Sequence, residues 1–202
     1  MSDENGKNRI GLTTDKDGSV LALRDENGKN RAGLTAFKDS SGLSVYDENG
    51  KNRVQLGVDK DAPVLKLCKE NGMMLAGLRM TKDGPGLWLW DENGKNRIGL
   101  TAFKDGPVLA LCDENGNSRA MLALSKEGSP SLALADENGK ASANLGASKD
   151  GPSLSLWDEN GNSRFTAGKT KTVTPDGKTI EYPESSLILF GPDGKIIWSA
   201  IK

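Results

Sequence analysis

Histidine is absent from this chain, and that absence removes more chemistry than any motif present adds. Without it there is no Ser-His-Asp or Cys-His nucleophile and no histidine metal site, so neither an enzyme nor a cofactor is expected. Cysteine occurs only twice, at Cys68 and Cys112, which excludes a disulfide framework. Aromatics are scarce: four Trp and two Tyr cannot furnish the residue-per-repeat aromatic set of a cell-wall sugar or choline binder. No apolar run approaches the roughly 18 residues of a membrane span, and the polar start MSDENGK is not a signal peptide. A chain read this way is soluble, without a transmembrane segment, and cytoplasmic. Excess charge is missing too, since 27 basic and 28 acidic residues leave a net charge of -1. Both signs are interspersed, so no face for nucleic acid is expected.

What fills the sequence instead is repetition. DENGKNR stands at 3–9, 25–31, 47–53 and 91–97. Asn-Gly recurs at Asn5, Asn27, Asn49, Asn71, Asn93, Asn115, Asn138 and Asn160, with a spacing of 22 that becomes 23 once. A second punctuation lies between: KDG at Lys16, Lys82, Lys104 and Lys149, with variants elsewhere. Between turns the runs alternate, as in NRIGLTAF and PVLALC, which is the period of a half-buried strand. No helix of useful length is indicated.

Asn-Gly and Asp-Gly between such runs predict two-residue hairpins of type I′, flanked by a Glu–Lys cross-strand ion pair. With Asn27-Gly28 as the loop, Leu23 faces Ala32 and Leu21 faces Leu34. With Asp105-Gly106 as the loop, Ala102 faces Leu109 and Leu100 faces Leu111. The extra Ser129 predicts a three-residue loop, pairing Leu124 with Leu132 and Leu122 with Leu134. In every case the leucines share one face, which is a core or the wall of an apolar channel. Its members are Leu12, Leu21, Leu23, Leu34, Leu43, Leu56, Leu65, Leu67, Leu78, Leu87, Leu89, Leu100, Leu109, Leu111, Leu122, Leu132, Leu134, Leu145, Leu154 and Leu156. The opposite face, of Arg, Gly, Thr, Ala and Ser with Tyr46, Trp88, Trp90 and Trp157, is expected to be solvated.

A single repeat domain over 1–202 follows, with eight hairpin units spanning 3–190. The eighth, 165–190, is enlarged, and a bulge is expected near Pro183. A closing strand at 195–202 belongs to a buried hairpin that is apolar on both faces. The all-β fold class therefore reads as tandem 22-residue hairpins closing into a shallow antiparallel barrel with hairpin petals. A two-sided β-solenoid and a propeller-like ring stay open as alternatives. Either way Cys68 and Cys112 stay apart: four strand steps span roughly 19 Å and two solenoid coils roughly 10 Å, against a Cα limit of about 7 Å. Both are expected to be free thiols. Sixteen strands closed in a ring would leave a central gap of very roughly 12 Å between leucines.

The repeated DENGK-NR-x-GL and KDGP-x-L-x-L units, closed by SSLILFGPDGKIIWSAI, resemble a group of bacterial tandem-hairpin proteins and the β-flower fold. In that fold hairpin petals surround a shallow barrel with an apolar centre. The resemblance covers nearly the whole chain and implies a likeness to Tubby-like barrels without their central helix. It suggests lipid or membrane association by analogy. Some members of that group carry an N-terminal membrane anchor, which this sequence does not show.

Other constellations favour ordinary structure. The DEN carboxylates recur in most units, whereas a glycosidase needs one special pair in a cleft. DKDG at Asp15 lacks the distal Glu of a calcium loop. Arg9, Arg31, Arg53, Arg97, Arg119 and Arg164 share one repeat position and form rim cations that could meet anionic headgroups. Pairing with neighbouring Asp and Glu is the favoured account of them. Trp88 and Trp90 mark either a partner-binding patch or space-filling beside small neighbours. The expected function is a non-catalytic binding module whose apolar centre holds a lipid or other hydrophobic molecule. The alternative is a structural or assembly repeat serving a protein partner or a homo-oligomer.

Overall fold

The computed structural model describes residues 1–60, 62–173, 177–182 and 186–200. Its described residues contain no helix; the chain is all-β, built of antiparallel hairpins. Two compact units, 1–96 and 97–202, are each described by themselves. The first holds β1 (Ile10–Thr14), β2 (Gly18–Arg24), β3 (Asn30–Phe37), β4 (Ser40–Tyr46), β5 (Asn52–Asp59), β6 (Ala62–Cys68), β7 (Met74–Thr81) and β8 (Gly84–Trp90). From β9 (Asn96–Phe103) the second continues with β10 (Gly106–Cys112), β11 (Ser118–Leu124), β12 (Pro130–Ala135), β13 (Ala141–Ser148), β14 (Gly151–Trp157) and β15 (Ser163–Gly168). It ends with β16 (Thr170–Val173), β17 (Thr179–Tyr182), β18 (Leu187–Phe190) and β19 (Ile196–Ala200). Consecutive strands from β1 to β8 pair antiparallel, as do those from β9 to β15. A solenoid is thereby excluded within each unit, because its successive coils would pair in parallel.

The Asn-Gly turns differ from the expected type I′. Type I′ needs positive φ at both central residues, yet only Gly28 (φ 82°) has it, and Asn27 does not. Gly28 N–H donates to Asp25 O at 3.0 Å and Asp25 N–H to Lys29 O at 2.9 Å. The loop is therefore Glu26-Asn27-Gly28, three residues long, with glycine in the left-handed position. Aspartate selects this geometry, since Asp25 Oδ1 accepts the N–H groups of both Asn27 and Lys29. One extra residue in the loop is offset by a second irregularity: Leu23 pairs with Ala32 but Arg24 with Asn30, leaving Arg31 as a bulge. The expected pairs Leu23–Ala32 and Leu21–Leu34 thus stand, although the turn beneath them is another kind.

At three turns the lysine of the expected Glu–Lys pair links two repeats instead. Lys7, Lys29 and Lys140 donate Nζ to the carbonyls of Glu26, Glu48 and Glu159, each in the next hairpin, at 2.7–2.9 Å. Lysine reaches sideways because the three-residue loop stacks neighbouring turns side by side.

At the KDG turns the two-residue loop is Lys104-Asp105 rather than Asp105-Gly106, with Gly106 paired to Phe103. Leu100 consequently faces Leu109, and Leu111 faces Ile98. The three-residue loop at Ser129 exists, but as Lys126-Glu127-Gly128, so Leu122 pairs with Leu132 and Leu134 with Ala120. Both registers differ from expectation by two residues, a shift that keeps every leucine on its face. Direct opposition produces a ladder. Leu12, Leu21, Leu34, Leu43, Leu56, Leu65, Leu78 and Leu87 run partner to partner across β1–β8. Leu100, Leu109, Leu122, Leu132, Leu145 and Leu154 do the same across β9–β14.

The fully buried residues lie away from the leucines. Ala22, Val64, Thr101, Thr166, Ile188 and Phe190 are buried, and all lie on the face opposite the leucines. Long side chains lie flat there over glycines and shield the sheet. A Cβ added to Gly11 would meet the Arg24 guanidinium at 2.8 Å, one at Gly33 the Tyr46 ring at 3.9 Å, and one at Gly77 the Trp90 ring at 3.4 Å. That face is therefore not simply solvated. Of the twenty leucines assigned to the apolar face, sixteen are exposed, and Leu21, Leu65, Leu109 and Leu154 are half-buried.

In the eighth hairpin β16 and β17 form their own two-stranded sheet, while β18 returns to pair with β15 through Phe165–Leu189. The bulge expected near Pro183 falls outside the described residues. The closing hairpin is buried on one strand only. Ile188 and Phe190 make the buried apolar cluster of the second unit, whereas Ile196, Ile197 and Trp198 on β19 are exposed. Both cysteines are half-buried free thiols.

Candidate functional site

Each ladder leucine stands roughly perpendicular to its strand, so its neighbours across the sheet touch it at the sides and leave its tip uncovered. Leu34, Leu56, Leu122 and Leu145, at one repeat position, are 52–55% exposed. A second row runs beside the ladder, with Leu23, Leu67 and Leu89 in the first unit and Leu111, Leu134 and Leu156 in the second. The two rows make an apolar face in each unit, with most of its leucines exposed.

The rim cations are spoken for. Arg9, Arg31, Arg53, Arg119 and Arg164 pair with Asp3, Asp25, Asp47, Asp113 and Asp158, the aspartate that opens each one's own turn. Arg9, Arg53 and Arg97 also donate Nε to the carbonyls of Arg24, Cys68 and Cys112 at 2.7–3.0 Å. The bulge at this position turns the guanidinium back toward the turn, which is why the cations serve the hairpin rather than an open ring.

Each aspartate thus accepts N–H bonds on one oxygen and arginine on the other. The Lys7 N–H holds the Asp3 carboxyl below the ordinary carboxylate range, against a loss of water that pulls upward, and Arg9 assists. Asp47 is lowered likewise, first by the Lys51 N–H. At Asp25, Asp113 and Asp158 desolvation opposes, and is outweighed by N–H bonds from Lys29, Asn117 and Asn162 together with the nearby arginine. Asp15 is similarly occupied, accepting from Asp17 and Gly18 N–H. Among the described residues no group of three or more His, Cys, Asp and Glu side chains converges as a metal site would need.

A feature that sequence reasoning only half located is a groove of about 360 Å³ on the small-residue face of the first unit, over β6, β7 and β8. Trp88, Trp90, Lys66 and Arg79 are among the residues that line it. Register fixes the layout: Lys66 and Trp88 flank Gly77, and Val64 and Gly86 flank Arg79. Two strand spacings, about 10 Å, separate Lys66 from Trp88. The signal for Lys66 and Arg79 was present in the repeat. Lys66 stands where Ala22, Ser44, Ala110, Ala133 and Ser155 stand in other units, and where Trp88 stands in the next, and Arg79 where Thr13, Thr35 and Thr101 do. Neither the models of known protein families nor the curated proteins gave a match to this sequence.

Proposed function

We propose that the chain is a non-catalytic binding module whose leucine face holds an elongated apolar molecule such as a lipid chain, with the hairpins closing into a shallow barrel around it. The observation that carries this reading is the uncovered leucine face, in which sixteen leucines of the ladder and the row beside it are exposed. Covering the open half of a leucine is worth roughly 1 kcal/mol, so the two rows together leave ungained a sum on the order of the 5–15 kcal/mol that holds a domain. A face kept leucine-rich at that cost needs a partner. An elongated one fits best, because the ladder offers one leucine on each successive strand.

An apolar fluorophore that brightens out of water tests the proposal. It should bind the native protein saturably, and Leu109→Asn should weaken binding more than Trp88→Ala, since only the first residue is on the leucine face. Absence of saturable binding, or an equal loss in both variants, would overturn it. A concentration-dependent oligomer in sizing, with no fluorophore bound, would favour the assembly role instead.

A further inference from the structure

The groove beside Trp88 lies where the repeat grammar breaks. In the fourth unit KENGMMLAGLRM replaces DENGKNR-x-GLTA, so Met73, Met74 and Leu75 occupy the Lys-Asn-Arg positions. The departures converge on one place. Gly86 replaces the valine seen at Val20, Val64 and Val108, and the Trp88 ring lies in the space a Cβ there would need. Trp90 lies over Gly77, which is buried and forms the floor. Lys66 and Arg79 sit beside that floor in place of small neutral residues. Among the described residues neither cation has a carboxylate partner, unlike five of the rim arginines.

We propose that this groove binds a small ligand that joins a flat unsaturated ring to an anionic group. The ring stacks on the indole of Trp88 or Trp90, where flat faces gain dispersion and shed water. The anion, a carboxylate or a phosphate, bonds the Lys66 ammonium and the Arg79 guanidinium. Two unpaired cations near half-buried indoles set the sign of the ligand, and a span of about 10 Å between strands carrying Lys66 and Trp88 sets its size to one or two fused rings. Asp59, on the row of Ala62 and Thr81, confines the anion to the end nearer Lys66. The cations and indoles of the site lie on the face opposite the leucine ladder, so its failure and that of the leucine reading are separable.

Equilibrium dialysis of the full chain with 2-naphthoate, and with neutral 2-naphthalenemethanol, tests it. The naphthoate should bind saturably and about tenfold more tightly than the alcohol, with Lys66→Gln and Arg79→Gln each weakening it about fivefold. Trp88→Ala should weaken both compounds, and Leu109→Asn neither. Equal affinity for the two compounds, or glutamine variants that bind like the wild type, would overturn the proposal. Loss in Leu109→Asn with retention in Lys66→Gln would place the ligand on the leucine face and would overturn it as well.

Discussion

Two one-residue deletions, alike on paper, separate register from composition. Removing Ser129 shortens Lys126-Glu127-Gly128 to the two-residue loop already present at Lys104-Asp105, and Leu122 can keep Leu132 just as Leu100 keeps Leu109. Its cost should be under about 0.5 kcal/mol, the range of a surface change away from the core. Removing Thr101 instead breaks parity within β9. Leu100 and Ile98 turn to the glycine-floored face and lose Leu109 and Leu111 across the sheet. Two aliphatic pairs at about 0.2–1 kcal/mol each, together with partial burial of two large side chains at about 1 kcal/mol each, give roughly 3 kcal/mol. For a chain of this size that is about 6–12 °C in melting temperature, against about 2 °C or less for the Ser129 deletion. Thermal unfolding followed by far-ultraviolet circular dichroism reads both. Melts within 2 °C of one another would refute the register argument.

Acid should weaken the fold through its turns. Asp3, Asp25, Asp47, Asp113 and Asp158 have folded pKa values below their unfolded ones, so their stabilisation is complete above the unfolded value near 3.8. It is lost as pH falls through the folded values, and urea midpoints should be flat from pH 7 to about 5 and decline below about 4. Thr166 is 2% exposed and its Oγ1 has no partner among the described residues. Thr166→Val should therefore raise stability by about 1 kcal/mol in urea unfolding, and a loss of that size would show a hidden bond at the hydroxyl. Gly28 holds φ at 82°, so Gly28→Ala should cost about 1 kcal/mol by the same measurement, whereas Asn27→Ala should cost less.

Strand identity, hairpin order and the membership of the leucine face were legible because alternation and turn spacing determine them without reference to anything distant. Turn type was not, since Asn27-Gly28 is compatible with type I′ and with a three-residue loop, and the Asp25 side chain decides between them. The two-residue offset that sets Leu100 opposite Leu109 was invisible for another reason: a shift of two leaves the apolar pattern unchanged. Which face is covered depends on how side chains lie. Arg24 over Gly11 and Trp90 over Gly77 close the face that composition marks as polar. Lys66 and Arg79 escaped notice because charge in a balanced chain draws no attention, although comparison of repeat with repeat isolates both.

The leucine face is the centre of the account, and native mass spectrometry of protein purified without detergent addresses it most directly. The predicted spectrum carries the 202-residue chain with the added mass of a lipid-sized molecule, released on collisional activation and diminished in Leu109→Asn. A bare chain, or an oligomer free of small molecules, with the same spectrum from the variant, would contradict it.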